Sequence, residues 1–297
     1  MERLAQHSHV RCFVRSEEDM PRGWAGRVDV LKADINQKTE WAGLLDGIDI
    51  VIHLAAVAHR RNPDKRELVA VNVEGTGRLA EQAAQTGVQR FVLLSSIGVN
   101  GNSTAELPFD ESMPPDPKDE YARSKLQAER VVRGLSQREG LEVTIVRPPL
   151  VYGLNAPGNF GRLVRWVRQG WPLPLGALRN QRSFIFVDNL CDFLSTVASH
   201  PAAANETYVI SDGEDVSTPE LVRRLAVAMD RKARLVSVPV PFLRSALALV
   251  GHSADFERLC GSLRVDSHKA RVELGWTPPF GMMEALQRSV ADHPIAG

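Results

Sequence analysis

The chain has 297 residues, of which 43% are apolar, and its 36 Lys and Arg balance 36 Asp and Glu. This length and apolar content allow one large or two modest domains with a buried core. The zero net charge argues against a nucleic-acid partner or an anionic membrane surface, and no apolar run approaches the roughly 20 residues that span a bilayer.

The cysteines are few and widely separated. Cys12, Cys191 and Cys260 have neither the spacing of a metal site nor that of a disulfide framework. The first ten residues carry charges and lack the apolar centre of a signal peptide. We therefore expect a cytoplasmic protein with no metal site.

Short apolar runs alternate with longer amphipathic segments in the first half of the chain. The predicted strands are Val10–Val14, Val28–Leu31, Ile48–Ala55, Arg90–Ser95 and Leu141–Arg147. The predicted helices between them are Glu40–Leu45, Lys65–Gln85 and Asp119–Gln137. Apolar runs without strict alternation are typical of strands covered on both faces, and the alternation with helices predicts a doubly wound parallel sheet. Ligands of such sheets bind at the carboxyl ends of the strands.

The second half has a different pattern and predicts a smaller α+β lid. The helical segments are Phe160–Gln169, Pro219–Met229 and Ser267–Leu274, and the short strands are Phe184–Val187, Tyr208–Ile210 and Leu235–Val238. Joints rich in Pro and Gly separate them.

One predicted helix carries a pair of residues suited to proton transfer. Asp116 followed by Pro117 predicts its start, with Asp116 as the N-cap. Tyr121 and Lys125 are four residues apart and therefore share a helical face. A nearby positive charge would lower the pKa of the phenol from its usual value of about 10 and make Tyr121 a base near neutral pH. The spacing alone is equally compatible with an exposed helix pair.

The strand that precedes this helix ends in two hydroxyl groups. Ser96 lies 25 positions before Tyr121 and could hydrogen-bond a substrate oxygen while Tyr121 moves the proton. The alternative is that Ser95 and Ser96 only cap the strand end.

Several motifs, in order and over nearly the whole chain, resemble the extended short-chain dehydrogenase/reductases of the NAD-dependent epimerase/dehydratase group. They are His53–Ala56, Val71–Thr76, Leu94–Ser96, Tyr121–Lys125, Arg147–Gly153, Arg182–Asp188 and Leu274–Pro278. Within the group the chain is similar to bacterial UDP-sugar 4-epimerases and to the 4-ketoreductases that make UDP-N-acetylquinovosamine-type sugars for surface polysaccharides. The resemblance implies a Rossmann-type sheet, formed by residues 1–155 and 181–200, and a nucleotide-sugar-binding lid, formed by residues 156–180 and 201–297.

The resemblance also implies the roles of individual residues. Ser96, Tyr121 and Lys125 would be catalytic, and a cationic nicotinamide would help to lower the pKa of Tyr121. The cofactor-binding residues would be Arg15, Asp34, Ile35, Leu54, Ala55, Ala56, Asn72, Ser95, Tyr121, Lys125, Pro148 and Leu150. The substrate-binding residues would be Ser96, Asn159, Arg182 and Arg258. Arg182 would pair with a diphosphate, which a guanidinium group matches in geometry. His53 is expected to pack in its strand.

The start of the chain bears on the choice of cofactor. An acid at the end of the second strand of the family would bind the ribose of NAD, whereas here Arg15 follows Val14 and favours the 2′-phosphate of NADP over NAD. The family also begins with a strand and a Gly-x-x-Gly-x-x-Gly turn that holds the pyrophosphate. That turn is absent ahead of Val10, so roughly 20 residues of the expected unit are missing. We expect a misplaced start or a truncated gene model to be the cause, with a natural cofactor-poor variant as the alternative.

Three reactions occur on this scaffold in related enzymes. Dehydratases have Asp-Glu after the catalytic hydroxyl residue, and Ile97-Gly98 at that place argue against dehydration. We expect reduction of a 4-keto sugar with NADP or NAD as the cofactor, used in its reduced form, with 4-epimerisation as the alternative. A catalytically silent, dinucleotide-sensing protein is the alternative from another class. The expected partners are a nucleotide-sugar substrate and a second copy of the chain, which would form a homodimer through Lys65–Gln85 and Asp119–Gln137, with no nucleic acid and no membrane.

Overall fold

The chain folds into two compact units. A computed structural model describes residues 2–6, 8–16, 28–58, 64–249 and 260–291. The first unit comprises Met1–Val99, Pro117–Val146 and Cys191–Tyr208. The second unit comprises Asn100–Asp116, Arg147–Leu190 and Val209–Gly297. The assignment of a cofactor domain and a sugar-binding lid to particular ranges stays a prediction.

The first unit contains the alternating strands and helices that the sequence predicts. Its elements are α1 (Glu2–Ala5), β1 (Val10–Val14), β2 (Val28–Lys32), β3 (Ile50–His53), α2 (Lys65–Leu68), α3 (Thr76–Gln85), β4 (Arg90–Leu94), α4 (Glu120–Glu139) and β5 (Glu142–Arg147, whose last residue belongs to the second unit). All five predicted strands form, and their ends lie within two residues of the predicted ones.

Parallel pairing organises the strands of this unit. β3, β4 and β5 lie side by side in a four-stranded sheet, with β8 (Thr207–Val209) beyond β5, and β1 pairs with β2 in a sheet of two. β3, β4 and β5 run parallel, as do β1 and β2. The residues of β4 and β5 are almost all buried because α3 and α4 pack their apolar faces on this sheet. The carboxyl ends of β3 and β4 are therefore fixed at one edge.

The helix that carries Tyr121 begins later than predicted. The N-cap of α4 is Asp119 and not Asp116: Asp119 has extended backbone angles (φ −128°, ψ 167°), and its side chain accepts a hydrogen bond from Ala122 N at 2.8 Å. The prediction chose the wrong member of two aspartates three residues apart. The carboxylate of Asp119 satisfies a free amide of the first turn, as an N-cap does.

Two other predicted helices differ from the expectation. Within the segment Glu40–Leu45 only Ala42–Leu44 is helical, as a single 3₁₀ turn, and the side chain of Gln82 accepts hydrogen bonds from Trp41 N (2.5 Å) and Ala42 N (2.9 Å) at its start. The segment Lys65–Gln85 is helical throughout, but Val69–Gly75 between α2 and α3 is a π-helix. Such wide turns are often found at functional sites.

The second unit has its own sheet and core. Its elements are β6 (Leu150–Tyr152), α5 (Gly158–Gln169), β7 (Arg182–Phe186), α6 (Val187–Ser199, which continues into the first unit), β9 (Asp215–Val216), α7 (Thr218–Ala228), α8 (Val240–Leu249), α9 (His268–Leu274) and α10 (Met282–Val290). β6, β7 and β9 form the sheet, and Tyr152 lies in its core among Phe160, Phe184 and Phe186.

The predicted strand Leu235–Val238 is wrong. Leu235 forms only an isolated bridge with Leu173. Pro172 and Pro174 flank Leu173 and have no backbone N–H to donate, which explains why no regular ladder forms between the two segments. Among the helices of the described residues, none has the length and apolar composition needed to cross a bilayer.

Candidate active site

The end of β4 directs two neighbouring hydroxyl groups into different surroundings. Ser95 is buried: its backbone N donates to Val146 O at 2.7 Å and its Oγ donates to Glu129 Oε1 at 2.5 Å. Ser96 is half-buried, and its Oγ accepts from Gly98 N at 3.1 Å. That bond uses an acceptor site of Ser96 and leaves its hydroxyl proton for another partner.

The first turns of α4 place Tyr121 and Lys125 at this strand end. Lys125 is 3% exposed, and its Nζ donates to Leu94 O at 2.8 Å. The short turn after Ser96 also touches the helix, since a Cβ on Gly98 would lie 3.3 Å from Ala122 Cβ. Two contacts, one on each side of Ser95 and Ser96 in sequence, thus hold the start of α4 against the end of β4.

The pKa values of this pair are shifted mainly by burial. Burial lowers the pKa of Lys125 to about 8, against the opposing effect of the Glu129 carboxylate. Burial and the negative charge of Asp119 raise the pKa of Tyr121 to about 12. The expected lowering of the pKa of Tyr121 is therefore not a property of the chain by itself. The Lys125 ammonium donates to a carbonyl, while the phenol loses solvation and lies near a carboxylate.

Asn72 links three segments around this pair. It lies in the π-helical turn and is 1% exposed. Its Oδ1 accepts from Val57 N at 2.8 Å, and its Nδ2 donates to Val57 O at 3.2 Å and to Ser124 Oγ at 3.0 Å. Ser124 Oγ in turn donates to Tyr121 O at 2.7 Å. The amide of Asn72 therefore ties the segment after β3 to the helix that carries Tyr121 and Lys125.

His53, at the end of β3, packs against this arrangement as a neutral residue. It is buried, and its Nε2 lies 2.9 Å from Thr76 Oγ1. Burial, with a smaller effect of the Lys125 charge, lowers the pKa of His53 to about 3. The expected packing role fits these contacts.

The other residues predicted at the cofactor lie after the ends of β1, β2 and β3. Arg15 is exposed, Asp34 accepts from Ile35 N at 2.9 Å, and Leu54 is 54% exposed. Ala55 is exposed and Ala56 half-buried. Ile35 contacts the π-helical turn so closely that a Cβ on Gly75 would lie 2.7 Å from Ile35 Cγ2. Accessible backbone and polar groups at the carboxyl ends of parallel strands suit a dinucleotide, so these residues fit the cofactor that the sequence implies.

The remaining predicted residues belong to the second unit. Pro148 is buried and Leu150 is half-buried at the start of β6. Asn159 accepts a hydrogen bond from Arg162. Arg182 Nη1 donates to Gly261 O at 2.8 Å, and burial lowers the pKa of Arg182 to about 10, so that it stays charged at neutral pH. Arg258 lies outside the described residues.

The structure also contains polar residues that the sequence reasoning missed. Glu129 is one of them, although its position four residues after Lys125 could have identified it. Asp212, in the second unit, accepts from Tyr152 Oη (2.8 Å), Asn189 Nδ2 (2.7 Å) and Phe186 N (3.0 Å). No local pattern marks Asp212, because its partners are 23 or more residues away.

Comparison with known proteins identifies the family. Residues 1–211 match the model of the NAD dependent epimerase/dehydratase family. The chain belongs to this family. It is an enzyme family, and this membership confirms the resemblance on which the expectations above depend.

Individual members of the epimerase/dehydratase family are similar over most of their length. A UDP-glucose 4-epimerase of Vibrio cholerae is 39% identical over 86% of this chain and 80% of its own. An N-acetyl-alpha-D-glucosaminyl-diphospho-ditrans,octacis-undecaprenol 4-epimerase of Escherichia coli O157:H7 is 26% identical over 86% of this chain and 81% of its own. The structure of MoeE5 in complex with UDP-glucuronic acid and NAD has a TM-score of 0.77 and 25% identity, over 98% of this chain and 92% of that chain. The Rossmann-type fold is thus confirmed.

Proposed function

We propose that this family member is an NAD(P)-dependent enzyme that interconverts the C4 epimers of a UDP-hexose. The observation that carries the proposal is the attachment of Tyr121 and Lys125 to the strand end that bears Ser96, through Lys125 Nζ and Leu94 O (2.8 Å) and through the turn at Gly98. The 39% identity to a protein named UDP-glucose 4-epimerase supports the choice of reaction.

A nicotinamide dinucleotide would be held by the residues after β1, β2 and β3. Leu54, Ala55 and Ala56 would line the cofactor site, Asp34 and Ile35 would bind the adenine, and Pro148 and Leu150 are proposed to contact the nicotinamide. Asn72 holds the segment after β3 in shape, and Ser95 supports the end of β4. The bound dinucleotide supplies hydride acceptance and return at C4.

The groups of the chain itself handle the proton and the oxygen at C4. Ser96 Oγ donates a hydrogen bond to that oxygen, since its hydroxyl proton is not used by Gly98 N. Tyr121 Oη takes the proton of the C4 hydroxyl when the sugar is oxidised and returns it when the keto sugar is reduced. Lys125 Nζ orients the ribose and, as a cation, favours the ionised form of Tyr121.

Residues of the second unit would recognise the nucleotide part of the substrate. Arg182 retains its charge despite its burial, which suits a diphosphate. Asn159 supplies an amide to the same ligand, and Arg258 is a further proposed contact.

The second candidate is a 4-ketoreductase of surface-polysaccharide sugar synthesis. The exposed Arg15 after β1 favours it, because a guanidinium there would bind the 2′-phosphate of NADPH, which would then serve as the hydride donor for reduction. The segments Ser95–Gly101 and Gly161–Gly176 also resemble that branch. A cytoplasmic location and a homodimer through α3 and α4 belong to either proposal, and the mass in solution tests the dimer.

The two candidates differ in how they use the cofactor. We would incubate the chain with UDP-galactose or UDP-N-acetylgalactosamine and NAD or NADP, and follow the sugar by chromatography. An epimerase forms the C4 epimer with no net change in nicotinamide absorbance. A reductase leaves these sugars unchanged and oxidises NADPH or NADH in proportion to an added UDP-4-keto-hexose.

Tyr121→Phe is the control for both assays. It removes only the phenol oxygen, so turnover should vanish while calorimetry still detects binding of the UDP-sugar. Unchanged turnover in this variant would contradict the role of Tyr121 in either reaction.

A further inference from the structure

Two oppositely charged side chains of α4 are buried at the end of β4. Lys125 and Glu129 are four residues apart, so they lie on the same face of the helix. Lys125 is 3% exposed and Glu129 is 1% exposed. Charged groups are rarely buried to this extent unless they are paired.

Two successive residues of the strand end receive these side chains. Lys125 Nζ donates to Leu94 O at 2.8 Å, and Ser95 Oγ donates to Glu129 Oε1 at 2.5 Å. The contact to Ser95 fixes the residue directly before Ser96. The carboxylate of Glu129 is thus connected both to the strand end that bears Ser96 and to the helix that bears Tyr121.

The charges around Lys125 make Glu129 its compensating group among the described residues of the first unit. From β3 the facing titratable group is His53, which is neutral. The turn Ile97–Val99 has no titratable side chain, and the π-helical turn presents the amide of Asn72. On α4 itself the neighbours are Tyr121 and Glu129. Glu129 is the group that opposes the effect of burial on Lys125.

We propose that Glu129 is a positioning residue of the active site, whose carboxylate holds Lys125 in its charged form and fixes the end of β4 through Ser95. The effect of Glu129 on the charge of Lys125 can be measured in the chain alone, whereas its effect on turnover rests on the proposed function. In a site with low effective dielectric, removing a negative charge one helical turn away destabilises an ammonium group.

The test is a titration of Lys125 by NMR of lysine side chains enriched in ¹³C. The chain has seven lysines, and Lys125→Arg assigns the signal by its disappearance. Lys125 should titrate near 8 in the unaltered protein. In Glu129→Gln, which keeps the shape and an acceptor for Ser95, the midpoint should fall by about one pH unit or more.

Two control variants show whether the charge of Glu129, and not its hydrogen bond to Ser95, determines the titration midpoint of Lys125. Ser95→Ala removes the hydrogen bond but keeps the carboxylate, so the Lys125 midpoint should stay within about 0.3 units of the unaltered value. Glu139→Gln removes an exposed carboxylate at the far end of the same helix and should leave the midpoint unchanged. Equal midpoints in Glu129→Gln and the unaltered protein would overturn the proposal, as would an equal fall in Ser95→Ala.

A second measurement tests the same pairing through the stability of the protein and needs no lysine signal. In the Lys125→Met background the carboxylate has no ammonium to compensate, so Glu129→Gln should lower the urea midpoint less there than in the unaltered background. Additive losses would overturn the proposal. Because neither readout requires turnover, an inactive protein would count against the proposed function only. In an active one, Glu129→Gln should move the alkaline limb of the pH profile of kcat/KM to lower pH, because Lys125 then loses its proton earlier, and Glu139→Gln should not.

Discussion

The amide of Asn72 offers the sharpest test of how the first unit holds its candidate site together. Asn72→Ala removes the bond from Val57 N (2.8 Å) and the bond to Val57 O (3.2 Å). A buried hydrogen bond contributes about 0.5–1.5 kcal/mol, so the segment after β3 should lose about 1–3 kcal/mol of local stability. Since about 1.4 kcal/mol corresponds to a factor of ten, that segment should open roughly 5- to 150-fold more often.

Hydrogen exchange of the Val57 amide measures this opening directly. Asn72→Ala should raise its exchange rate by about tenfold or more under conditions in which local opening limits exchange. Asn72→Asp keeps an acceptor for Val57 N but places a second oxygen near Val57 O. The exchange rate of the Val57 amide in Asn72→Asp should therefore lie between the rates in Asn72→Ala and in the unaltered protein. Ser124→Ala removes the third bond of Asn72 and leaves both bonds to Val57, so it should change the rate less than about threefold.

Two results would refute this reasoning. The first is a Val57 amide that exchanges equally fast in Asn72→Ala and in the unaltered protein. The second is a Ser124→Ala variant as fast as Asn72→Ala, which would mean that the helix contact, and not the bonds to Val57, determines the stability of the segment.

Two further predictions concern the same unit. The folded protein holds His53 at a pKa of about 3, against 6.5 for a free histidine, so the unfolded chain binds one more proton within that range and stability should fall by about 1.4 kcal/mol per unit as pH decreases from about 6.5 toward 3. His53→Gln should remove this contribution in urea unfolding across that range, and an unchanged slope would contradict it. Gly75→Ala should cost about 1–3 kcal/mol and weaken dinucleotide binding, because its Cβ would lie 2.7 Å from Ile35 Cγ2, whereas Gly134→Ala in the open middle of α4 should stabilise by about 0.5–1 kcal/mol. Urea midpoints would measure the change in stability, and nicotinamide fluorescence titrations would measure the change in dinucleotide binding. Equal effects of the two glycine substitutions would contradict the close contact between Gly75 and Ile35.

The sequence predicted the strands of the first unit well, because strands such as β4 and β5 are buried along nearly their whole length and appear in the sequence as continuous apolar runs. It also predicted that Tyr121 and Lys125 share a helical face, since that depends only on spacing. It could not predict the π-helical turn that carries Asn72, because no residue pattern specifies so local a widening. The sequence also could not predict that the pKa of Tyr121 is raised, because this shift depends on how deeply the fold buries the phenol.

The N-cap of α4 connects that last point to the function of the site. Asp119 satisfies the amide of Ala122 at 2.8 Å, and the same carboxylate contributes to the raised pKa of Tyr121. Asn caps a helix about as well as Asp but carries no charge. Asp119→Asn should therefore lower the pKa of Tyr121 below about 12 without a loss of stability, whereas Asp119→Ala should also cost about 0.5–2 kcal/mol of stability through the lost cap.

The chain has three tyrosines, so the signal of Tyr121 can be isolated. Subtracting the absorbance of Tyr121→Phe, in the presence and absence of the Asp119 substitutions, gives the tyrosinate formed at position 121 in alkaline buffer. More tyrosinate in Asp119→Asn than in the unaltered protein would mean that the charge of the cap opposes the ionisation of Tyr121, which a nearby Lys125 cation favours. Equal tyrosinate would leave burial as the sole cause of the raised pKa, and the proton acceptor would then depend entirely on charges brought by bound ligands.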